Sequence, residues 1–197
     1  MREVICMNDQ LYKNIANSSA HRASRDENAK FISENPALLG DLLQIALDVN
    51  DKNHYKACWV LELVLAQSID WLYPYMNIFC EKLPLFFQEG AVRSISKICL
   101  FICVEEQRKS KSGSHSLNQQ QERQITECCF DWLIGDYKVA TKAYAARALF
   151  ELGKNSDWIY PELHIILENG FVQHSAAYKV VAKEILRKIS KGNYNRS

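Results

Sequence analysis

The chain has 197 residues, of which 48% are hydrophobic and 24% charged, a balance that excludes a disordered or fibrous protein and suits one domain that folds without metal or disulfide. A formal net charge of +1 lacks the basic excess of proteins whose main task is gripping phosphate backbones, although a local basic patch stays open. Seven glycines and four prolines are too few for a turn-rich all-β architecture and favour long helices with short connections.

The opening Met1-Arg2-Glu3-Val4-Ile5-Cys6-Met7-Asn8 holds an apolar stretch of about four residues, short of the roughly 7–15 of an export signal. The longest apolar run, Ile95 to Val104, contains Ser96 and Lys97 and falls short of the ~20 residues that cross a bilayer. A cytoplasmic location without membrane attachment is therefore expected. So are seven reduced cysteines serving mostly as small core residues, with Cys99 and Cys103 on one face and Cys128 adjacent to Cys129.

From Asn35-Pro36 onward, apolar residues recur at i, i+3, i+4, i+7 and i+8, the stripe of an amphipathic helix. The sets are Leu39, Leu42, Leu43, Ala46 and Leu47; Ala57, Val60, Leu61, Val64 and Leu65; and Leu72, Tyr75, Met76, Phe79 and Cys80. They continue as Ile95, Ile98, Cys99, Ile102 and Cys103; Ile125, Cys128, Cys129, Trp132 and Leu133; a shorter Ala145, Ala148, Leu149 and Leu152; and Tyr178, Val181, Ala182, Ile185, Leu186 and Ile189. Nothing alternates with period two as a strand would. Asn35-Pro36 opens a helix, Asn50-Asp51-Lys52-Asn53 separates two more, and Glu89-Gly90 and Asn169-Gly170 are expected to end helices. Residues 105–118, with Arg108-Lys109-Ser110-Lys111-Ser112-Gly113-Ser114, read as a mobile surface loop, and 191–197 as a polar tail able to cap the last repeat.

An internal echo sets the expected architecture. Asp70-Trp71-Leu72-Tyr73-Pro74 returns as Asp157-Trp158-Ile159-Tyr160-Pro161; the first begins at 70 and the second at 157, an offset of 87 residues. Each copy follows an Ala- and Leu-rich helix, Lys56 to Gln67 and Lys142 to Gly153, and two helices per roughly 40–47 residues is the period of a HEAT-type array. The chain resembles the HEAT-like repeat superfamily, in particular short alpha-alpha superhelical proteins grouped with DNA-alkylation-repair repeats. The resemblance is carried by Asp136-Tyr137-Lys138-Val139, Ala143, Ala145, Ala146, Leu149, Leu152, Gly153 and the Val92-Arg93 step, and spans roughly residues 36 to 190. Other units carry Tyr55, Ala140 and Ser175 where that Arg would fall. It implies an all-α superhelix of about four to five antiparallel pairs in a single domain, each pair covering its neighbour's stripe, and says little about function.

Asp70, Trp71, Tyr73 and Pro74, with Asp157, Trp158, Tyr160 and Pro161, are read as helix starts: Asp as cap, Trp as staple to the preceding helix, Pro in the first turn. The competing reading is an aromatic clamp for a flipped base. A candidate binding surface is formed by Lys56, Trp59, Arg93, Lys97, Lys142, Tyr144 and Arg147, since matching positions of stacked repeats line one face; Lys179 and Lys183 extend the basic set, and Glu62, Glu105, Glu151 and Glu184 dilute it.

No Cys-x-x-Cys pair exists and His21, His54, His115, His164 and His174 are scattered, so no metal is expected. Phosphate-cradling Gly loops and a Gly-x-Ser-x-Gly elbow are missing, and no cofactor is expected. An all-α lyase of the fumarase and adenylosuccinate-lyase type does not fit, because Ser110 to Ser116 lacks that superfamily's Met-Pro loop signature. The expected role is a non-catalytic interaction module that cradles a protein or peptide. The alternative is a DNA-binding or HEAT-like alkylpurine glycosylase-type repair protein, its carboxylate and aromatic at Asp131 and Trp132 or at Asp157 and Trp158.

Overall fold

The computed structural model describes the backbone of residues 8–173 and 175–193 and the side chains of 8–170 and 175–191. Cys6, His174 and the end of the expected tail lie outside those residues. Ten α-helices follow one another among the described residues, with no strand: α1 (Asp9–Asn17), α2 (Arg22–Glu34), α3 (Leu39–Leu47), α4 (His54–Leu65), α5 (Met76–Lys82), α6 (Glu89–Ser110), α7 (Gln119–Ile134), α8 (Val139–Leu152), α9 (Ile159–Gln173) and α10 (Ala176–Asn193). Short 3-10 turns at Pro36–Leu38, Ile69–Tyr75 and Leu83–Leu85 join some of them. No described helix is long and apolar enough to cross a membrane.

The stripes dictate the packing. α2 packs on α4, α4 on α6, α6 on α8 and α8 on α10, so alternate helices form one row. A second set lies against it: α3 on α4, α7 on α8, and α9 on α8 and α10, with α5 reaching α7. Nearly every apolar position of the seven sequence stripes is buried in one continuous core. Tyr75, Val181 and Leu186 sit at its edge.

Two helices carry stripes too sparse to stand out in the sequence. α1 buries only Leu11 and Ile15, and α2 only Ala29 and Ile32. Asn8 caps α1 by accepting the Leu11 N–H at 2.9 Å. At α7, Asn118 accepts from the Gln121 N–H while the Gln121 side chain accepts from the Asn118 N–H, both at 2.9 Å, a reciprocal cap that fixes where this helix begins.

Several local expectations give way. Glu89-Gly90 opens α6 rather than closing a helix, and α9 runs on through Asn169-Gly170 to Gln173; contact with α8 and α10 outweighs the helix penalty of one glycine, about 1 kcal/mol. Residues 105–110 of the expected loop continue α6, and only 111–118 connect it to α7. The buried Glu106 secures that connection, accepting the N–H groups of Ser116 and Leu117 at 2.8 and 3.1 Å and facing His115 Nδ1 at 2.7 Å.

The two Asp-Trp-x-Tyr-Pro copies also differ. The first lies in the 3-10 turn Ile69–Tyr75, and Asp70 is no cap: its Oδ1 accepts from Lys109 Nζ at 2.8 Å, because an ammonium within reach is a stronger partner than a backbone N–H. The same ammonium stands 4.0 Å from the Tyr73 ring centre, so this copy fastens the far end of α6. Trp71 packs partly buried against the core, and Pro74 sits inside the 3-10 turn, before α5. In the second copy Pro161 occupies the first turn of α9, as expected. Trp158 stays exposed and stacks on Phe130 of α7 at 5.7 Å between ring centres. Tyr160 stacks on Phe150 at 5.6 Å and donates its hydroxyl to the Phe150 carbonyl at 3.1 Å.

Gly153 makes room for that Tyr160 ring, which would collide with any Cβ added there. Gly153→Ala should therefore cost about 1–3 kcal/mol through overpacking, read as a lower urea midpoint. Trimming Tyr160 to Leu in the same chain should give less than the sum of the two separate losses.

Cys58, Cys80, Cys99, Cys103, Cys128 and Cys129 are free and buried. Burial pushes the thiols of Cys80 and Cys128 up to about 12 from 9.0. The unfolded chain then loses these protons first. Stability should hold below pH 9.0 and fall as pH rises towards 12, by about 1.4 kcal/mol per pH unit for each such thiol. Cys128→Ala should flatten that decline while lowering stability at pH 7, as followed by urea titrations at pH 7, 9 and 10.

Candidate interaction face

The row of alternate helices brings together side chains that are far apart in the chain. Trp59 and Glu62 lie one turn apart on α4, Arg93 and Lys97 one turn apart on α6, and Tyr144 and Arg147 one turn apart on α8. Because α6 packs on both α4 and α8, these pairs meet along one strip.

Glu62 is its centre. This carboxylate is buried at 3% exposure. Its Oε1 accepts from Lys97 Nζ at 2.7 Å and its Oε2 from the Ser94 hydroxyl at 2.6 Å, with Arg93 Nη1 3.5 Å away. Lys97 Nζ also lies 5.5 Å from the Phe101 ring centre and 5.8 Å from that of Tyr144. Further along, Arg147 Nη2 donates to Glu184 Oε2 at 3.0 Å, and Lys188 Nζ donates to Glu184 Oε1 at 2.6 Å. Hydrogen bonds from Lys188 and Arg147 hold the Glu184 carboxyl below its usual range.

At the other end, Trp59 donates its indole N–H to the Gly90 carbonyl at 3.1 Å. Tyr55 meets the Trp59 ring edge-on at 5.0 Å, and the Arg25 guanidinium stands 5.9 Å from the ring centre.

Five of the seven residues expected on a binding surface thus share this strip: Trp59, Arg93, Lys97, Tyr144 and Arg147. Lys56 and Lys142 do not. Lys56 donates to the Ala16 carbonyl in the last turn of α1. Lys142 is buried and donates to the Leu133 carbonyl near the end of α7 at 2.9 Å, and burial lowers its pKa. Both ammonium groups satisfy carbonyls that a helix end leaves orphaned. Sequence reading missed Arg25, Glu89 and Lys138, and counted Glu62 and Glu184 only as diluting charge. No periodicity marks these residues, since their roles come from contacts between helices.

The two tryptophans considered for a base clamp differ: Trp158 is exposed and stacks on Phe130, whereas Trp132 is buried. Trp132 is 3% exposed, so it cannot stack on an incoming ring. Three of the described histidines meet single carboxylates or amides: His54 Nε2 faces Gln88 at 2.7 Å, His115 Nδ1 faces Glu106 at 2.7 Å, and His164 Nδ1 lies 3.4 Å from Glu168. Among the described residues no group of three or more His, Cys, Asp or Glu side chains is placed to hold a metal ion. Both Glu62 oxygens already accept strong donors, so using that carboxylate as a general base would mean breaking the network.

Glu62→Ala leaves the buried Ser94 hydroxyl without its acceptor and two cations without their counter-charge, and should cost about 2–3 kcal/mol. Glu62→Gln keeps an acceptor for Ser94 and should cost less, because Lys97 and Arg93 remain 27% and 38% exposed and can rehydrate. Urea denaturation of the two variants checks the order. No protein-family model matches the chain, and no curated protein or solved structure is significantly similar to it.

Proposed function

We propose that this protein is a non-catalytic interaction module, a HEAT-like open array of helix pairs that binds a protein or peptide along the strip bearing Trp59, Arg93, Lys97, Tyr144 and Arg147. The observation that carries this reading is the continuity of the strip: side chains from α2, α4, α6, α8 and α10 form a line of cations and aromatic rings, each touching a residue of an adjacent helix. Aromatic and Arg side chains held rigidly by their neighbours are the usual anchors of protein interfaces. The packing order α2–α4–α6–α8–α10 supports the repeat architecture, in which each added pair lengthens one continuous surface.

A photo-crosslinking residue in place of Tyr144 should yield an adduct in a lysate of the native host that survives nuclease and disappears with protease. The same probe replacing the exposed Ile165 on α9 should give none. Adducts lost on nuclease treatment, or none from Tyr144, would overturn the reading.

A nucleic-acid role has one observation in its favour, the cations Arg25 and Arg93 beside the Trp59 ring. It requires affinity that falls steeply between roughly 50 and 200 mM salt. The expected outcome is that duplex DNA is not retained even at about 50 mM salt. Retention there, weakening steeply with added salt, would favour the repair-type alternative.

A further inference from the structure

We infer that the notch around Trp59 is a receptor for an acidic side chain of the partner, a carboxylate carried next to an apolar or aromatic residue; this rests on the interaction reading above. The notch encloses about 290 Å³, room for one or two side chains, and is walled by Ala20, Arg25, Glu89, Gly90, Arg93 and Lys138 around the indole.

Charge selects the occupant. Three cations face one carboxylate there, and that carboxylate is already committed: Glu89 Oε2 accepts the Lys138 N–H at 3.3 Å and Oε1 accepts from the Thr141 hydroxyl at 3.2 Å. Glu89 thereby ties α6 to the first turn of α8, and its single negative charge leaves the three cations of the notch in excess. The Arg25 Nε is shielded from solvent and meets no acceptor among the described residues. Arg93 spends one Nη on Glu62 at 3.5 Å and keeps its other donors, since a guanidinium carries five N–H groups. Lys138 is exposed at the rim.

The indole selects the neighbour of that acid. Its N–H is spent on Gly90, so the part of the ring that Arg25 and Tyr55 leave uncovered offers only apolar surface. A planar or aliphatic group beside the carboxylate would rest there while the guanidinium groups hold the anion.

The same geometry disfavours a nucleic-acid strand. A duplex presents a charge about every 1.7 Å and needs a track of free cations. Beyond the notch, Lys97 is paired with Glu62, and Arg147 and Lys188 with Glu184. The positive excess is largest at the notch, vanishes at Lys97 and returns as a single charge where Arg147 and Lys188 share Glu184.

The test uses isothermal titration of the full chain at low salt with three probes: a random Glu-Tyr copolymer, polyglutamate, and a 20-mer oligothymidylate. The copolymer should bind most tightly. An Arg25→Gln, Lys138→Gln double variant should weaken it about tenfold, the size of one lost charge-assisted contact, whereas Arg123→Gln, at an exposed position on α7 away from the strip, should leave it unchanged. Matching urea midpoints for the three chains would show that folding is not the cause. Failure of the copolymer to bind, binding indifferent to the double variant, or oligothymidylate binding as tightly would each overturn the inference. Protein adducts from the Tyr144 probe without copolymer binding would leave the interaction reading standing and remove only the acidic partner.

Discussion

Everything in this molecule depends on apolar stripes that one helix cannot hide alone. α6 shows why. Ile95, Ile98, Cys99, Ile102 and Cys103 are all without solvent exposure; α6 packs between α4 and α8, and Cys99 and Cys103 also face Cys129 of α7 and Cys80 of α5. Burying side chains of this size is worth roughly 1.5–3 kcal/mol each, so the order of helices along the row is set by which stripe needs which neighbour. The outward sides of the same helices are left free for polar and aromatic groups, and the interaction strip is built from them.

Polar groups inside the packing then fix how neighbouring helices register. Glu62 bonds the Ser94 hydroxyl from α4 to α6, Gln121 donates to Asn77 to join α7 with α5 at 2.7 Å, and Lys142 ends at the Leu133 carbonyl. An apolar stripe tolerates sliding by part of a turn. A buried carboxylate or ammonium does not, because losing its partner leaves an unsatisfied charge in a poorly solvated place. The strip therefore inherits a rigid frame, and a partner of the kind proposed would meet side chains whose ordering cost is already low.

The interaction reading and the acidic-partner inference lean on different links of this chain. The first needs only a continuous face, and continuity follows from the row. The second needs an imbalance of charge at one end of that face, and this arises because Glu89 is the one carboxylate lining the notch with Arg25, Arg93 and Lys138, while Lys97 is matched by Glu62 and Arg147 and Lys188 share Glu184. A near-neutral protein can in this way concentrate positive charge at one end of a face.

Helix content and most of the core were readable from periodicity, because a 3.6-residue stripe is a local signal: Ala57, Val60, Leu61, Val64 and Leu65 are buried where their spacing puts them. α1 and α2 were not, since two buried apolar residues apiece make no stripe. The candidate face was half legible. Residue type pointed to Trp59, Arg93, Lys97, Tyr144 and Arg147, but also to Lys56 and Lys142, and only the packed helices separate the cations on the strip from the two that satisfy helix-end carbonyls. The repeated Asp-Trp-x-Tyr-Pro makes the same point: identical residue types form a 3-10 turn held by Lys109 in one place and lead into a long helix in the other. Sequence by itself determined which faces must be buried, because hydrophobic spacing acts along one helix. Tertiary structure alone decided which charges find partners, because the carboxylates that neutralise or free each cation arrive from other helices.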